Sequence, residues 1–167
     1  MKKLNKIIAT GLTSGLIPGA PGTWGSIAAV LLWLTLCWLS IAAQGPDPFT
    51  ITVTLAVIFS LIGGPVIKGY LKNSPGTDDP HRDPKEVVID EWAGQLIALI
   101  GITPLNGEIP SFTLILIAFG LFRLFDITKI AFISTLERIP GAIGILLDDI
   151  LAGIYAALIG ALIVYFL

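Results

Sequence analysis

IAAVLLWLTLCWLSIAA, residues Ile27–Ala43, runs for seventeen residues without a charge. About 17 apolar residues is the shortest helix that crosses a hydrocarbon core, and about 20 is usual. A helix at the surface of a soluble domain must keep one polar face, and this stretch has none. It predicts a membrane span. The whole chain agrees: 54% of its 167 residues are hydrophobic and only 13% charged, against roughly 25% charged in soluble domains, and mean hydropathy is +0.88.

Further runs extend the pattern. Phe49–Ile67 follows the turn-rich QGPDP (Gln44–Pro48) and is also uncharged; Gly63-Gly64-Pro65 near its end predicts a kink or an early stop. Trp92–Leu105 is uncharged over only fourteen residues, short enough for a tilted or re-entrant element. Phe112–Leu124 continues toward Phe125 and past Asp126 to the region of Ile133, and Ile150–Leu167 closes the chain with eighteen uncharged residues. The expected fold is all-α: one polytopic membrane helical bundle over residues 1–167, with about five apolar helices, the third short.

Polar features set the orientation. Threading five spans from a cytoplasmic N-terminus puts Lys2, Lys3, Lys6, Lys68, Lys72, Arg82, Lys85, Arg123, Lys129 and Arg138, all ten basic residues, on one side. That is the asymmetry expected of a cytoplasmic face. The basic start is separated from the first span by the Gly/Pro-rich stretch Gly11–Gly25, so no cleaved signal peptide is read. The long loop Leu71–Val88 is expected to cap the cytoplasmic face. Net charge is −2 with no basic run able to track a phosphate backbone, which excludes nucleic acid as a partner. The lipid bilayer is the partner implied.

Of the twelve carboxylates only Asp47 and Glu108 fall on the opposite side. The others include Asp90-Glu91 opening the third apolar run, Asp126 beside Arg123 closing the fourth, and Asp148-Asp149 opening the fifth. Single charges at helix ends are ordinary boundary markers; three clusters meeting at one surface are less so. Adjacent acids on a helix point about 100° apart, so one member can bind a cation while its neighbour orients it. Hard divalent cations such as Mg²⁺ take oxygen ligands and bridge to substrate phosphate. Arg123 and Lys129 can neutralise phosphoryl oxygens. The Gly/Pro segment Thr10–Ser26 lies on the same face and can present backbone N–H groups to an anion, although it lacks the phosphate-loop lysine and GxGxxG patterns.

Other chemistries lack their residues. Cys37, the single cysteine, sits inside an apolar run, which removes disulfide, zinc and cysteine-phosphatase readings. His81 is the only histidine, so a phosphohistidine route with a second histidine as acid has no partner, and no DxDx[TV] nucleophile occurs. Carboxylate and metal chemistry remains. A small transporter or ion-binding membrane protein is the alternative, since acids near the membrane also line cation pathways. These acids, however, stand at one edge. The DGxxAR…GxxxDxxxD pattern of CDP-alcohol phosphotransferases is absent.

Four ordered blocks carry a resemblance: PGTWGS (Pro21–Ser26), VIDEWAGQLIAL (Val88–Leu99), FRLFDITK (Phe122–Lys129) and GILLDDILAGIYAAL (Gly144–Leu158). In these the chain resembles phosphatidylglycerophosphatase A, a Mg²⁺-dependent membrane phosphatase family of bacterial phospholipid synthesis. The resemblance implies hydrolysis of phosphatidylglycerophosphate to phosphatidylglycerol and phosphate at the cytoplasmic face of a multi-pass protein of the bacterial inner membrane. It implies catalytic roles for Asp90, Asp126, Asp149, Arg123 and Lys129, and Mg²⁺ held among Asp90, Glu91, Asp126, Asp148 and Asp149. Substrate would be met by Gly22, Thr23 and Ser26. The chain departs from the family pattern at Ile130, where proline is usual, and at Ala142 and Leu146, where a glycine and a methionine are common.

Overall fold

The computed structural model describes residues 2–73, 83–130, 132–136 and 139–167. His81, Arg82, Arg138 and half of the loop expected to cap the cytoplasmic face, residues 74–82, lie outside the described residues. Among the described residues the chain is all-helical, with no strand: α1 (Lys2–Ala9), α2 (Pro21–Ala42), α3 (Pro48–Lys72), α4 (Ile89–Ile100), α5 (Phe112–Thr128), the single turn α6 (Ile133–Leu136) and α7 (Ala142–Phe166), with a 3₁₀ turn at Ser14–Leu16.

Helix length divides the bundle. At about 1.5 Å per residue, α2 with 22 residues and α3 and α7 with 25 each exceed the ~30 Å hydrocarbon core, and these three are also apolar enough to cross a membrane. By the same rise, α4 with 12 residues is about 18 Å long and α5 with 17 about 26 Å. By length, α2, α3 and α7 are the crossing candidates, and α4 and α5 are shorter.

Local chemistry sets the boundaries. Pro48 starts α3 at a position where its missing N–H costs nothing. Asp47 caps it, accepting from the Thr50 amide at 3.0 Å and the Thr50 hydroxyl at 2.6 Å. Pro65 does not end that helix, which continues to Lys72. α7 begins eight residues before Ile150, so Asp148 and Asp149 stand in its second turn, within the helix, instead of opening it.

α4 sits at the centre, touching α2, α3, α5 and α7. Nine of its twelve residues are buried, as expected of a helix enclosed on every side. Its approach to α7 depends on small residues. A Cβ placed on Gly153 would collide with the Gly94 carbonyl oxygen, and one on Gly94 would lie 2.5 Å from the Asp149 carbonyl oxygen. Backbones this close require glycine on both helices. The consequence is positional: the start of α4, with Asp90 and Glu91, lies beside Asp149 of α7. α2 and α3 are joined by a buried hydrogen bond from Trp33 Nε1 to Thr52 Oγ1, 2.7 Å.

Candidate active site

One polar cavity of about 240 Å³ opens where α2, α4, α5 and α7 meet. Asp90 and Glu91 reach it from the first turn of α4, where the positive end of the helix dipole favours carboxylates. Arg123 and Asp126, three apart on α5, share a helical face and form an ion pair. Lys129 ends α5 in the left-handed region (φ 48°); that turn carries its ammonium to Asp148 of α7, with Asp126 at 3.6 Å. Burial alone would lower the Lys129 pKa, but the hydrogen bond it donates to Asp148 and the charges of Asp149, Asp148 and Asp126 outweigh it and hold the ammonium above the ordinary lysine range.

The five acids divide into two groups. Asp90, Glu91 and Asp149 each offer an oxygen, and these three atoms lie within 4.8 Å of one another. Asp126 and Asp148 are instead bound to Arg123 and Lys129 at the side of that cluster. Asp90 and Asp149 are 5% and 3% exposed, so water screens their mutual repulsion poorly. Asp90 Oδ1 and Glu91 Oε2 are buried without a hydrogen-bond partner, and so is Arg123 Nε. Buried polar groups are normally satisfied. Two unpartnered acceptors beside one unpartnered donor match a cation next to an anion, and the all-oxygen donor set suits a hard divalent ion. These residues fit Mg²⁺.

The N-terminus of α2 completes the wall. Ala20, Pro21 and Gly22 line the cavity. A Cβ on Gly22 would strike Glu91 Oε1 and approach the terminal nitrogens of Arg123 at 3.1 and 3.2 Å. Glycine is needed there for space alone. Thr23 and Ser26 do not line the cavity: both stand inside α2, and the fully buried Ser26 hydroxyl donates to the Gly22 carbonyl at 2.9 Å. The Gly/Pro stretch is therefore divided between a tight turn and the opening of a helix. Two lining residues, Asp83 and Lys85, escape the sequence reading; their signal is the charged DPK run just ahead of the Asp90-Glu91 block.

The three long apolar helices fit a membrane-associated protein, and the acidic, cation-flanked cavity where α2 and α7 meet α4 and α5 fits a charged ligand. Comparison with known proteins narrows this class. The family model for phosphatidylglycerophosphatase A matches residues 7–164, and the chain belongs to that family. A Haemophilus influenzae phosphatidylglycerophosphatase A is 35% identical over 164 residues, covering 96% of this chain and 89% of the relative. The Escherichia coli protein of the same name is 30% identical over 152 residues, covering 90% and 78%. A Bacteroides thetaiotaomicron protein named as a candidate phosphatidylinositol-3-phosphatase is 35% identical over 154 residues, covering 90% and 87%. No solved structure gives a significant match to the chain. The chain is thus an enzyme of a lipid phosphatase family.

Proposed function

We propose that this protein hydrolyses phosphatidylglycerophosphate to phosphatidylglycerol and inorganic phosphate, using Mg²⁺, at the cytoplasmic face of a bacterial inner membrane. The observation that carries the reading is the convergence of Asp90, Glu91 and Asp149 beside the Arg123–Asp126 and Lys129–Asp148 pairs. The cavity is smaller than the ~300–1,000 Å³ that drug-sized ligands occupy. It suits a phosphorylated headgroup, with the acyl chains left in the bilayer.

Asp90, Glu91 and Asp149 would hold the cation, which supplies Lewis-acid stabilisation of the charge that builds on the phosphoryl oxygens. Arg123 and Lys129 meet the remaining oxygens, and Asp126 and Asp148 aim them. Holding both cations in salt bridges before substrate arrives removes much of their reorganisation from the reaction itself. A carboxylate of the set takes the proton of the attacking water, which approaches phosphorus in line with the departing glycerol oxygen. Gly22 and the α2 N-terminus leave room for the phosphate and present a positive dipole end.

In the bilayer, α2, α3 and α7 cross fully. α4 enters from the cytoplasmic face as a short, re-entrant helix and α5 returns, making five apolar helices with the cavity at the cytoplasmic boundary. The test is phosphate release by purified protein from phosphatidylglycerophosphate, phosphatidic acid and phosphatidylinositol 3-phosphate in matched vesicles. The expected order puts phosphatidylglycerophosphate first by at least about tenfold, a discrimination of roughly 1.4 kcal/mol. A preference for the inositol lipid would transfer the assignment to the activity named for the Bacteroides relative. Inversion at a chiral phosphorus is expected for direct water attack; retention would indicate a covalent carboxyl-phosphate.

A further inference from the structure

The amino-terminal helix is outside the cavity, yet its three sides differ in a way that the bundle does not require. Asn5 and Ala9 turn toward the body: Asn5 Nδ2 donates to the Val66 carbonyl at 3.0 Å, and Val88 N donates to the Ala9 carbonyl at 2.9 Å. Leu4 and Ile7, one turn apart on a second side, are 62% and 40% exposed. Lys3 and Lys6, also exposed, share a third side. A helix with one flank docked, one side apolar and one side basic is built to lie in a membrane interface.

Its neighbour continues the charge. α1 rests against the last turns of α3, where Gly69 leaves room for the Asn5 side chain; Lys68 and Lys72 stand exposed on those same turns. Among the described residues every ion pair lies inside the cavity, and none involves these four lysines. The apolar strip also extends past the helix through Leu12 and Leu16, 59% and 50% exposed. From there the chain reaches Ala20 and Gly22 in the cavity wall. On the other side, the α3 residue Tyr70 bonds Glu86 at 2.9 Å, one residue after the lining Lys85. The patch and the cavity therefore share a border.

We propose that α1 and the end of α3 form an anionic-phospholipid surface, distinct from the cavity: Leu4, Ile7 and Leu12 seat in the acyl boundary while Lys3, Lys6, Lys68 and Lys72 gather acidic headgroups at the cavity's edge. Basic side chains near a charged leaflet each contribute attraction that salt weakens. The surface raises the local concentration of any acidic lipid, and feeding substrate to the cavity follows if the proposed activity holds.

Two readouts separate the surface from the activity. An environment-sensitive fluorophore on Leu4→Cys, with Cys37 fully buried, is compared in phosphatidylcholine vesicles with and without phosphatidylserine. A blue shift on adding the anionic lipid, lost in 0.5 M salt (about a 4 Å Debye length), is expected. Emission that is water-like in both vesicles, or identical in both, would overturn the surface whatever the substrate proves to be. The second readout is turnover against substrate mole fraction in phosphatidylcholine. Replacing the four lysines by Gln should raise the half-saturating mole fraction about tenfold with kcat unchanged, and replacing them by Arg should not. An unchanged half-saturation, or a fall confined to kcat, would refute the feeding role.

Discussion

Gly22 shows how a residue without a side chain can define a site. Its hydrogen faces Glu91 and Arg123, so any Cβ would press on the Glu91 carboxylate and crowd the Arg123 guanidinium. Gly22→Ala should lower turnover about 10²-fold with the thermal midpoint of the detergent-solubilised protein nearly unchanged; wild-type activity in this variant would remove Gly22 from the substrate's path. Lys129 behaves differently. Lys129→Gln leaves the nearly buried Asp148 facing Asp126 and Asp149 with no cation, which should cost about 2–3 kcal/mol in chemical denaturation. The figure falls short of the ~3–5 kcal/mol for fully buried pairs because Lys129 keeps 26% exposure. Adding Asp148→Asn should restore much of the stability and none of the activity. The acids themselves were legible in the sequence as three adjacent or near-adjacent clusters. Their division was not: spacing along one helix cannot say that Asp149 faces α4 while its neighbour Asp148 faces Lys129, because that depends on how α7 is turned against α4 and α5.

At the scale of elements, glycine contacts between α4 and α7 set the distance between acids. Gly153→Ala should cost about 2 kcal/mol, within the range for overpacking, because its Cβ meets a backbone oxygen that cannot yield. It should also displace Asp149 and reduce turnover about 10²-fold. Gly120→Ala is the control: nothing lies within 4 Å of a Cβ there, and neither quantity should fall. Loss of stability without loss of turnover in Gly153→Ala would separate the helix contact from the site. Apolar runs made the long helices readable, because a span without charge has few alternatives. Boundaries were less so. Asp148 and Asp149 read as the edge of the last span although α7 starts at Ala142, since a buried acid paired with a sequence-distant lysine, as Asp148 is with Lys129, and another turned into an acidic cluster, as Asp149 is, look in sequence like a solvent boundary. Of the kink or early stop expected at Gly63-Gly64-Pro65, the early stop does not occur: α3 passes through Pro65 to Lys72, with Gly63 and Ile67 on either side of it packed in the core despite one missing hydrogen bond.

For the whole molecule, the proposed threading has α4 dipping into the membrane from the cytoplasmic face as a short element. An impermeant maleimide applied to right-side-out and inverted vesicles tests this. Lys72→Cys should react only from the cytoplasmic side and Leu105→Cys, 80% exposed in the loop after α4, should not react from that side. Labelling of both from one side would contradict the proposed threading. The proposed role of the converging acids is to hold a divalent cation for phosphate-ester hydrolysis. Phosphate release from phosphatidylglycerophosphate, followed in EDTA, after restoring Mg²⁺, and in Asp90→Asn and Asp149→Asn proteins that retain the wild-type thermal midpoint, tests it most directly. Activity is expected to disappear in EDTA, return with Mg²⁺ and fall at least about 10²–10³-fold in either variant. Full turnover in EDTA, or in both variants, would contradict it.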